Sequence, residues 1–184
     1  LEFLNDLFAK AKKAGADAAD GHHVVSQSLS TSMRMGQREV LERSESLDMM
    51  LRVFVGQRQA CVASSDTSAQ AMDELVERAV SMARVAPEDP YCGLAPEDRL
   101  AKTWPDLDSY DDYEYDTEAL YDIGAEAEEA ALAVDGVTNS NGAGAGWSRA
   151  EVAIATSHGF AGSYKSSNYS FSASVLAGEG TGME

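Results

Sequence analysis

The stretch from Leu47 to Ala86 constrains the fold most strongly, because its apolar residues first alternate and then change to helical spacing. Alternation with a period of two is typical of a strand that is buried on one face. Gly56-Gln57 can form a tight reversal, since glycine adopts positive φ without steric cost. We therefore predict a β-hairpin with its apolar side chains at Leu47, Met49, Leu51, Val53, Val55, Ala60 and Val62.

A helix is predicted directly after the hairpin. Thr67-Ser68-Ala69-Gln70 has the pattern of a capping box, in which the Thr67 hydroxyl and the Gln70 amide each bond a free backbone N–H group. Pro87 prevents the helix from continuing. One apolar stripe, with members three and four positions apart, then faces the hairpin: Met72, Leu75, Val76, Ala79, Val80 and Ala83.

The residues before the hairpin predict a first helix that ends at Gly15, a strand over Gly21 to Met35 and, after a turn at Gly36-Gln37, a charged edge strand over Arg38 to Glu45. Residues 1–86 thus have the predicted order α-β-β-β-β-α. This order predicts an α+β domain, an antiparallel sheet with helices packed on one face. The apolar positions are Leu4, Leu7, Phe8, Ala11 and Ala14 in the helix, and Val25, Leu29, Thr31 and Met33 in the strand.

Residues 87–116 predict a solvated acidic linker. All four prolines of the chain lie in this segment, together with a local excess of acidic residues. Asp106 and Asp108 have the opening spacing of a calcium-binding loop. However, Tyr110 occupies the third ligand position and the required glycine is absent, so a calcium site is not expected.

Residues 117–184 predict the start of a β-rich central domain that is incomplete in this sequence. Asp116 can cap a helix, and the following strand, Val137 to Trp147, has Gly142, Gly144 and Gly146 on one face. Glycine on one face predicts close approach of another backbone or of an aromatic ring. The predicted apolar stripe of the helix is Leu120, Ile123, Ala127, Ala130, Ala131 and Val134.

Two more strands are predicted in this region. Val152, Ile154 and Thr156 form the first, and a turn at His158-Gly159 leads to a long, polar, serine-rich strand from Phe160 to Ala177. Its predicted face consists of Tyr169, Phe171, Ala173 and Val175. We further expect the chain to be an N-terminal fragment of a longer protein, since it starts at Leu1 without an initiator Met and ends soon after this strand.

The charge balance restricts the partners. With 31 acidic and 14 basic residues, the net charge of −17 repels nucleic acid phosphates. Two isolated cysteines predict reduced thiols in a cytoplasmic protein. No apolar run approaches the ~20 residues of a membrane span, and no signal peptide pattern is present. We therefore expect a soluble cytoplasmic protein with neither a nucleic acid nor a membrane partner.

No catalytic or metal-binding residue is predicted, and the substrate-binding residues are left unassigned. His22 and His23 are adjacent in a strand, so their side chains point to opposite faces, and His158 lies alone in a turn. Ser148 comes close to a nucleophile motif, but the final glycine is missing and a strand follows where a helix is needed. Cys61 is expected to be a small buried apolar residue of a strand.

Several segments in one order resemble the TldD/PmbA family, in particular its PmbA/TldE branch. This family, formerly called modulators of DNA gyrase, is regarded as metallopeptidases. The resemblance covers essentially the whole chain. The segments that carry it are Ala14–Ala18, Leu51–Gly56, Gln59-Ala60, Ser64–Ser68, Arg84–Tyr91, Asp135–Ser140 and Ser157–Tyr164.

The resemblance implies a cytoplasmic bacterial protein that pairs with a TldD-like subunit, and it allows a homodimer in isolation. The paired complex would be a zinc-dependent protease that acts on unfolded proteins or peptides. The resemblance places the zinc on the TldD-like partner, in a His-Glu-x-x-x-His helix of a C-terminal domain, and no cofactor in this chain. No segment of this sequence matches that motif, so no catalytic residue is transferred to it.

Two functional hypotheses follow. In the first, the chain is a non-catalytic subunit that provides scaffold and subunit contacts, and the strand Phe160 to Ala177 captures an extended peptide by main-chain hydrogen bonds. In the second, it is a non-enzymatic interaction protein that modulates DNA gyrase or a toxin–antitoxin system, which the acidic charge permits.

Overall fold

A computed structural model describes residues 2–178 of the chain. Leu1 and Gly182–Glu184, on which the expectation of a fragment rests, lie outside the described residues. The described helices and strands are α1 (Glu2–Ala14), β1 (Ala18–Arg34), β2 (Gln37–Val55), β3 (Arg58–Ser64), α2 (Ala69–Val85), a 3-10 turn (Glu97–Arg99), α3 (Thr117–Leu132), β4 (Val137–Thr156) and β5 (Ala161–Ala177).

The strands form one five-stranded antiparallel sheet in the order β3-β2-β1-β4-β5, which confirms the predicted α+β class. The predicted hairpin is β2 with β3, and its register runs from Met49 opposite Ser64 to Val55 opposite Arg58. Gly56 makes the reversal at a φ of 58°.

By its internal contacts the chain forms two compact units, each built from three separate segments. Unit 1 comprises 2–25, 46–108 and 151–165, and unit 2 comprises 26–45, 109–150 and 166–178. Four of the strands contribute residues to both units. The predicted domain and linker boundaries, 1–86, 87–116 and 117–184, divide the chain into consecutive stretches of sequence instead. They stay a prediction.

In unit 1, α1 and α2 pack against each other and share one apolar core with the sheet. All six predicted stripe residues of α2 are buried, and so are four of the five in α1, with Ala14 partly buried. Removal of this apolar surface from water is the main stabilising contribution of the unit. The strands contribute Ala19, Met49, Leu51, Val53, Val62 and Ala155 to the same core.

The predicted capping box of α2 is wrong by one residue. The N-cap is Ser68, whose Oγ accepts a hydrogen bond from the Ala71 N–H at 3.3 Å. The Gln70 amide donates to Glu74 instead of to the start of the helix. Thr67 lies outside the cap because the Asp66 carboxylate binds the Ser68 N–H and thereby fixes the chain one residue later.

Two predicted pairs of strands are each one continuous strand. Arg38 to Glu45 belongs to β2, and Val152 to Thr156 belongs to β4, because neither glycine nor proline lies between Glu45 and Leu47 or between Trp147 and Val152. The pairs between β2 and β3 extend only from Met49 to Val55, so the charged half of β2 keeps the predicted edge character. Val25 and Ile154 are exposed, contrary to prediction.

In unit 2, α3 begins as predicted, with Asp116 Oδ1 accepting from the Ala119 N–H at 2.8 Å. The predicted buried face is only partly correct: Leu120 is buried and Ile123 packs against the core, whereas Ala130 and Val134 are exposed because the helix places Gly124 against the sheet. A Cβ on Gly124 would lie 3.5 Å from the Cα of Gly144, so two glycines allow helix and strand to approach closely. The residues of α3 that are buried are Leu120, Tyr121, Gly124 and Glu128.

The glycines of β4 lie beside the backbone of β1, which confirms the predicted close approach. A Cβ on Gly144 would come within 2.4 Å of the Thr31 carbonyl oxygen, and one on Gly146 within 3.0 Å of the Leu29 carbonyl oxygen. The alternate residues Ala145 and Trp147 pack on the other face. Small residues are therefore required on this face of β4.

The side chains of 87–116 are mostly exposed, but the backbone of this segment is fixed at several points. The Asp89 N–H donates to the Gln57 carbonyl at 2.7 Å, and His158 Nε2 donates to the Ala95 carbonyl at 2.8 Å. The part up to residue 108 is thus held within unit 1 by hydrogen bonds to two separate turns. Of the helices that the structure describes, none is long and apolar enough to span a bilayer.

Candidate functional site

The histidines noted in the sequence lie in strand β1 and in the turn after β4. His22 and His23 are half-buried in β1, and the ring of His23 lies against Phe3 with centroids 6.0 Å apart. His158 Nδ1 lies 2.7 Å from the Thr156 hydroxyl, and its Nε2 donates to a backbone carbonyl. His158 Nδ1 therefore stabilises the turn that joins β4 to β5, and Nε2 connects this turn to Ala95.

The other noted residues are also kept apart from one another. Ser148 is exposed in the middle of β4, which excludes a nucleophile elbow, and Asp106 accepts the N–H of Asp108 in a local turn. Cys61 is exposed, so its predicted burial is wrong. Val62 takes the core-facing position of β3, so Cys61 lies on the opposite face, across from Arg52.

The Cys61 thiol does not have the features of an activated nucleophile. Partial desolvation raises its pKa above the ordinary value, and this effect outweighs the lowering by the Arg52 charge. The thiol therefore stays protonated at neutral pH, whereas the thiolate is the reactive form.

Glu128 is a buried acidic residue that sequence reasoning missed. Glu128 is only 3% exposed. Its carboxylate accepts hydrogen bonds from the N–H groups of Met35 and Gly36, each at 2.9 Å. It also accepts the Ser140 hydroxyl. The hydroxyl bond, followed by the two N–H bonds, lowers the pKa of Glu128. Its spacing of four residues from Gly124 is the one sequence signal that could have revealed it.

The arrangement around Glu128 is a structural anchor. Met35 and Gly36 form the turn between β1 and β2, and both have positive φ. A non-glycine residue in this conformation is strained, so the turn needs support from outside. The Glu128 carboxylate supports the turn through its hydrogen bonds to Met35 and Gly36. All the hydrogen-bond partners of this carboxylate belong to unit 2.

The feature of unit 2 most suited to binding is the outer edge of β5. This strand lies at the end of the sheet, with β4 on one side and, among the described residues, no strand on the other. Its part in unit 2, Ser166–Ala177, contains no charged residue and no proline. Phe171 is 69% exposed and Tyr169 is 38% exposed.

The edge is bordered by residues 109–116, which we call the acidic aromatic segment. The Ser167 N–H donates to the Ser109 carbonyl at 3.0 Å, and the Asp111 N–H donates to the Ser167 hydroxyl at 2.9 Å. The segment therefore covers the edge of β5 at Ser167. Since alternate residues of a strand direct their N–H groups to the same side, the amides of Tyr169 and Phe171 point to this edge as well.

Tyrosine rings fix the segment beside β5. The Tyr169 hydroxyl donates to the Tyr113 carbonyl at 2.6 Å, and the Tyr115 ring contacts the rings of Tyr113 and Tyr169 edge-on, with centroids 4.8 and 5.8 Å away. Partial desolvation, followed by the charge of Asp111, raises the pKa of Tyr169. The hydroxyl thus stays protonated and keeps its donor role.

A shallow groove of about 440 Å³ lies on the face of unit 2 formed by β1, β4 and β5. Its lining consists mostly of small residues, such as Ser30, Gly144 and Ser170, and also includes the larger side chains of Met33, Glu39 and Phe171. Together with the edge of β5, this face offers backbone groups and hydroxyls to a ligand. An open strand edge can add an extended polypeptide as a further strand.

The described residues do not fit a bound zinc ion. Within 2–178, no group of three or more His, Cys, Asp or Glu side chains is arranged to hold a metal ion. Zinc sites in proteins use three or four such ligands. No catalytic step through a metal is therefore derived for the residues of this chain.

Comparison with known proteins gives matches along most of the chain. The family model of the PmbA/TldA metallopeptidase domain 1 matches residues 23–83, and that of the PmbA/TldA metallopeptidase central domain matches residues 110–184. The Metalloprotease PmbA homolog of Haemophilus influenzae is 35% identical over 175 residues, which is 95% of this chain and 39% of that protein.

Two solved structures share the fold. A crystal structure of a candidate modulator of DNA gyrase from Bacteroides thetaiotaomicron aligns with a TM-score of 0.88 at 22% identity, over 99% of this chain and 42% of that one. TldE from Thermococcus kodakarensis aligns with a TM-score of 0.71 at 16% identity, over 98% of this chain and 40% of that one. The chain thus spans about two fifths of the length of each of these proteins.

Proposed function

The chain belongs to the PmbA/TldD metallopeptidase family, and on that premise we propose that it acts as the non-catalytic subunit of a heteromeric zinc-dependent metalloprotease. The substrates of the complex are unfolded proteins or peptides. In this proposal the chain gives scaffold, subunit contacts and contacts to the peptide. The names of the similar proteins, a metalloprotease PmbA homolog and TldE, support the assignment to this branch.

The proposal assigns the zinc ligands to a TldD-like partner. Zinc would supply a water of lowered pKa and would polarise the scissile carbonyl. The residues of this chain would hold the peptide in an extended form beside that site. We also propose that the complex works in the cytoplasm and that the chain forms a homodimer when the partner is absent.

The observation that carries the peptide-binding role is the uncharged outer edge of β5, beside which residues 2–178 place no further strand. A protease for unfolded chains must bind many sequences, so it needs contacts to the main chain, which all sequences share. Backbone N–H and C=O groups at a strand edge make such contacts. A main-chain contact of this kind supports the proposal: the Ser167 N–H donates to the Ser109 carbonyl, which belongs to a segment outside the sheet.

The test is co-expression of the full chain with its TldD-like partner, followed by an assay on an unfolded protein. We expect cleavage that needs both chains, stops on addition of a chelator and returns with zinc. As a control, each chain is assayed alone at the same concentration. Cleavage by this chain alone, or chelator-resistant cleavage, would contradict the proposal. Retention of gyrase by this chain without any partner would favour the alternative, a non-enzymatic modulator.

A further inference from the structure

Asn141 and Gly142 form the one Asn-Gly pair of the sequence, and both lie in β4. In such a pair the glycine nitrogen can attack the side-chain carbonyl carbon of the asparagine, because the chain itself holds the two reacting groups close together. Glycine favours this attack, since it has no Cβ to crowd the ring that forms. Asn141 is exposed, so its side chain is accessible to water. The pair therefore has the chemistry of a deamidation site.

The fold requires glycine at position 142. Gly142 has a φ of 118°, in a region that residues with a Cβ rarely adopt. A Cβ at this position would also lie 3.3 Å from the Met33 carbonyl oxygen, which is closer than an ordinary van der Waals contact. Asn141 is thus followed by its reactive neighbour for a structural reason.

The attacking nitrogen is held by hydrogen bonds that we call the Ser140 network. The Gly142 N–H donates to the Ser140 Oγ at 3.0 Å, and the buried Ser140 hydroxyl donates to the Glu128 carboxylate. Attack requires loss of the N–H proton and a rotation about the Cα–C bond of Asn141, which moves the Gly142 nitrogen away from Ser140. Both changes break the hydrogen bond to Ser140, so the Ser140 network opposes ring closure.

We propose that Asn141 is a site of spontaneous deamidation and that the Ser140 network controls its rate. The Gly142 nitrogen forms a bond to Cγ of Asn141, the bond from Cγ to Nδ2 breaks, and Nδ2 leaves as ammonia with the proton of the Gly142 amide. Water then opens the succinimide ring and gives aspartate or isoaspartate. The reaction needs no partner, metal or peptide, so it goes beyond the proposed function and does not depend on it.

The product alters β4 where the strand packs closely on its neighbour. Isoaspartate adds an extra carbon to the main chain and so displaces the residues that follow it. A Cβ on Gly144 would already come within 2.4 Å of the Thr31 carbonyl oxygen, which leaves no space for a displaced backbone. We therefore expect chains that carry isoaspartate at this position to unfold more readily than unmodified chains.

The test follows deamidation of Asn141 in the full chain at pH 8. Mass spectrometry of proteolytic peptides detects the change from amide to carboxylate, and a synthetic peptide of residues 137–147 gives the rate without the fold. Because the folded protein reacts only in molecules that open locally, we expect its rate to be about tenfold or more below that of the peptide. Ser140→Ala should raise the rate in the folded protein about fivefold, in line with the loss of one buried hydrogen bond.

Ser68→Ala is the matched control. It also removes a serine Oγ that accepts a backbone N–H, but at the start of α2 in unit 1. Because the two sites share no partners, Ser68→Ala should change the rate at Asn141 less than about twofold. Equal acceleration by the two variants would contradict the proposal, because general loss of stability would then set the rate. Unchanged deamidation in Ser140→Ala, or a wild-type rate equal to the peptide rate, would overturn it.

Glu128→Gln provides a second measurement if urea unfolding shows that Ser140→Ala does not fold. This variant keeps the Ser140 hydroxyl but removes the charged acceptor that fixes it, so we expect about threefold faster deamidation. A rate equal to that of wild type would then refute control by the Ser140 network. Asn139, which precedes a serine instead of a glycine, is the internal control in every sample and should stay unmodified.

Discussion

At the scale of single residues, Glu128 decides how unit 2 is held together. Replacement of Glu128 by Gln puts an amide N–H₂ group where two backbone N–H groups and a hydroxyl need acceptors. Buried donors without acceptors are costly, so we expect a loss of about 2 kcal/mol in the free energy of unfolding. Urea unfolding at pH 7 measures it, with the exposed neighbour Glu129→Gln as control. Equal stability of the two variants would contradict the anchor role.

The effect of Glu128→Gln should depend on pH. Because folding lowers the pKa of Glu128, the carboxylate stabilises the fold above its unfolded pKa of about 4.3. That contribution is lost as the pH falls through the lower, folded pKa. The difference in the free energy of unfolding between wild type and Glu128→Gln should therefore be largest near pH 7 and should decrease below about pH 4. A difference in the free energy of unfolding that stays constant over this pH range would show that the charge of Glu128 does not contribute to stability.

At the scale of helices and strands, the start of α2 gives a direct comparison between sequence and structure. Ser68→Ala removes the side-chain acceptor of the Ala71 N–H and should destabilise the protein by about 1 kcal/mol. Thr67→Ala lies outside the cap and should stay within about 0.5 kcal/mol of wild type. Thermal unfolding of the two variants decides between Ser68 and the predicted Thr67, and a larger loss in Thr67→Ala would reverse our assignment.

Element types could be predicted from the sequence where one periodic pattern decides them. The hairpin and the buried stripe of α2 are examples, since alternate or helical spacing alone places those residues in the core. The pattern was less informative for α3. Its orientation depends on the contact of Gly124 with Gly144, and a pair of glycines distant in sequence leaves no periodic signal. Strand breaks were overpredicted because a change from apolar to charged residues does not end a strand.

At the scale of the whole molecule, the family could be recognised from collinear segments, and the long polar strand could be predicted. The position of this strand at the end of the sheet could not be predicted, because strand order depends on pairing between segments that are distant in sequence. The contact of residues 109–116 with β5 could not be predicted either, because it also joins segments that are distant in sequence. The sequence showed an acidic, proline-containing stretch, whereas the structure adds the partners Ser167 and Tyr169 that fix it beside the edge.

The most direct test of our account is amide hydrogen exchange of the full chain with its TldD-like partner, with and without saturating peptide. If an extended peptide pairs with β5, the outward amides of Tyr169, Phe171 and Ala173 should exchange more slowly when peptide is bound. The core amides of α2 serve as an internal control and should not change. Unchanged exchange along β5 in a complex that demonstrably holds peptide would contradict the central claim that this chain provides the peptide-binding edge.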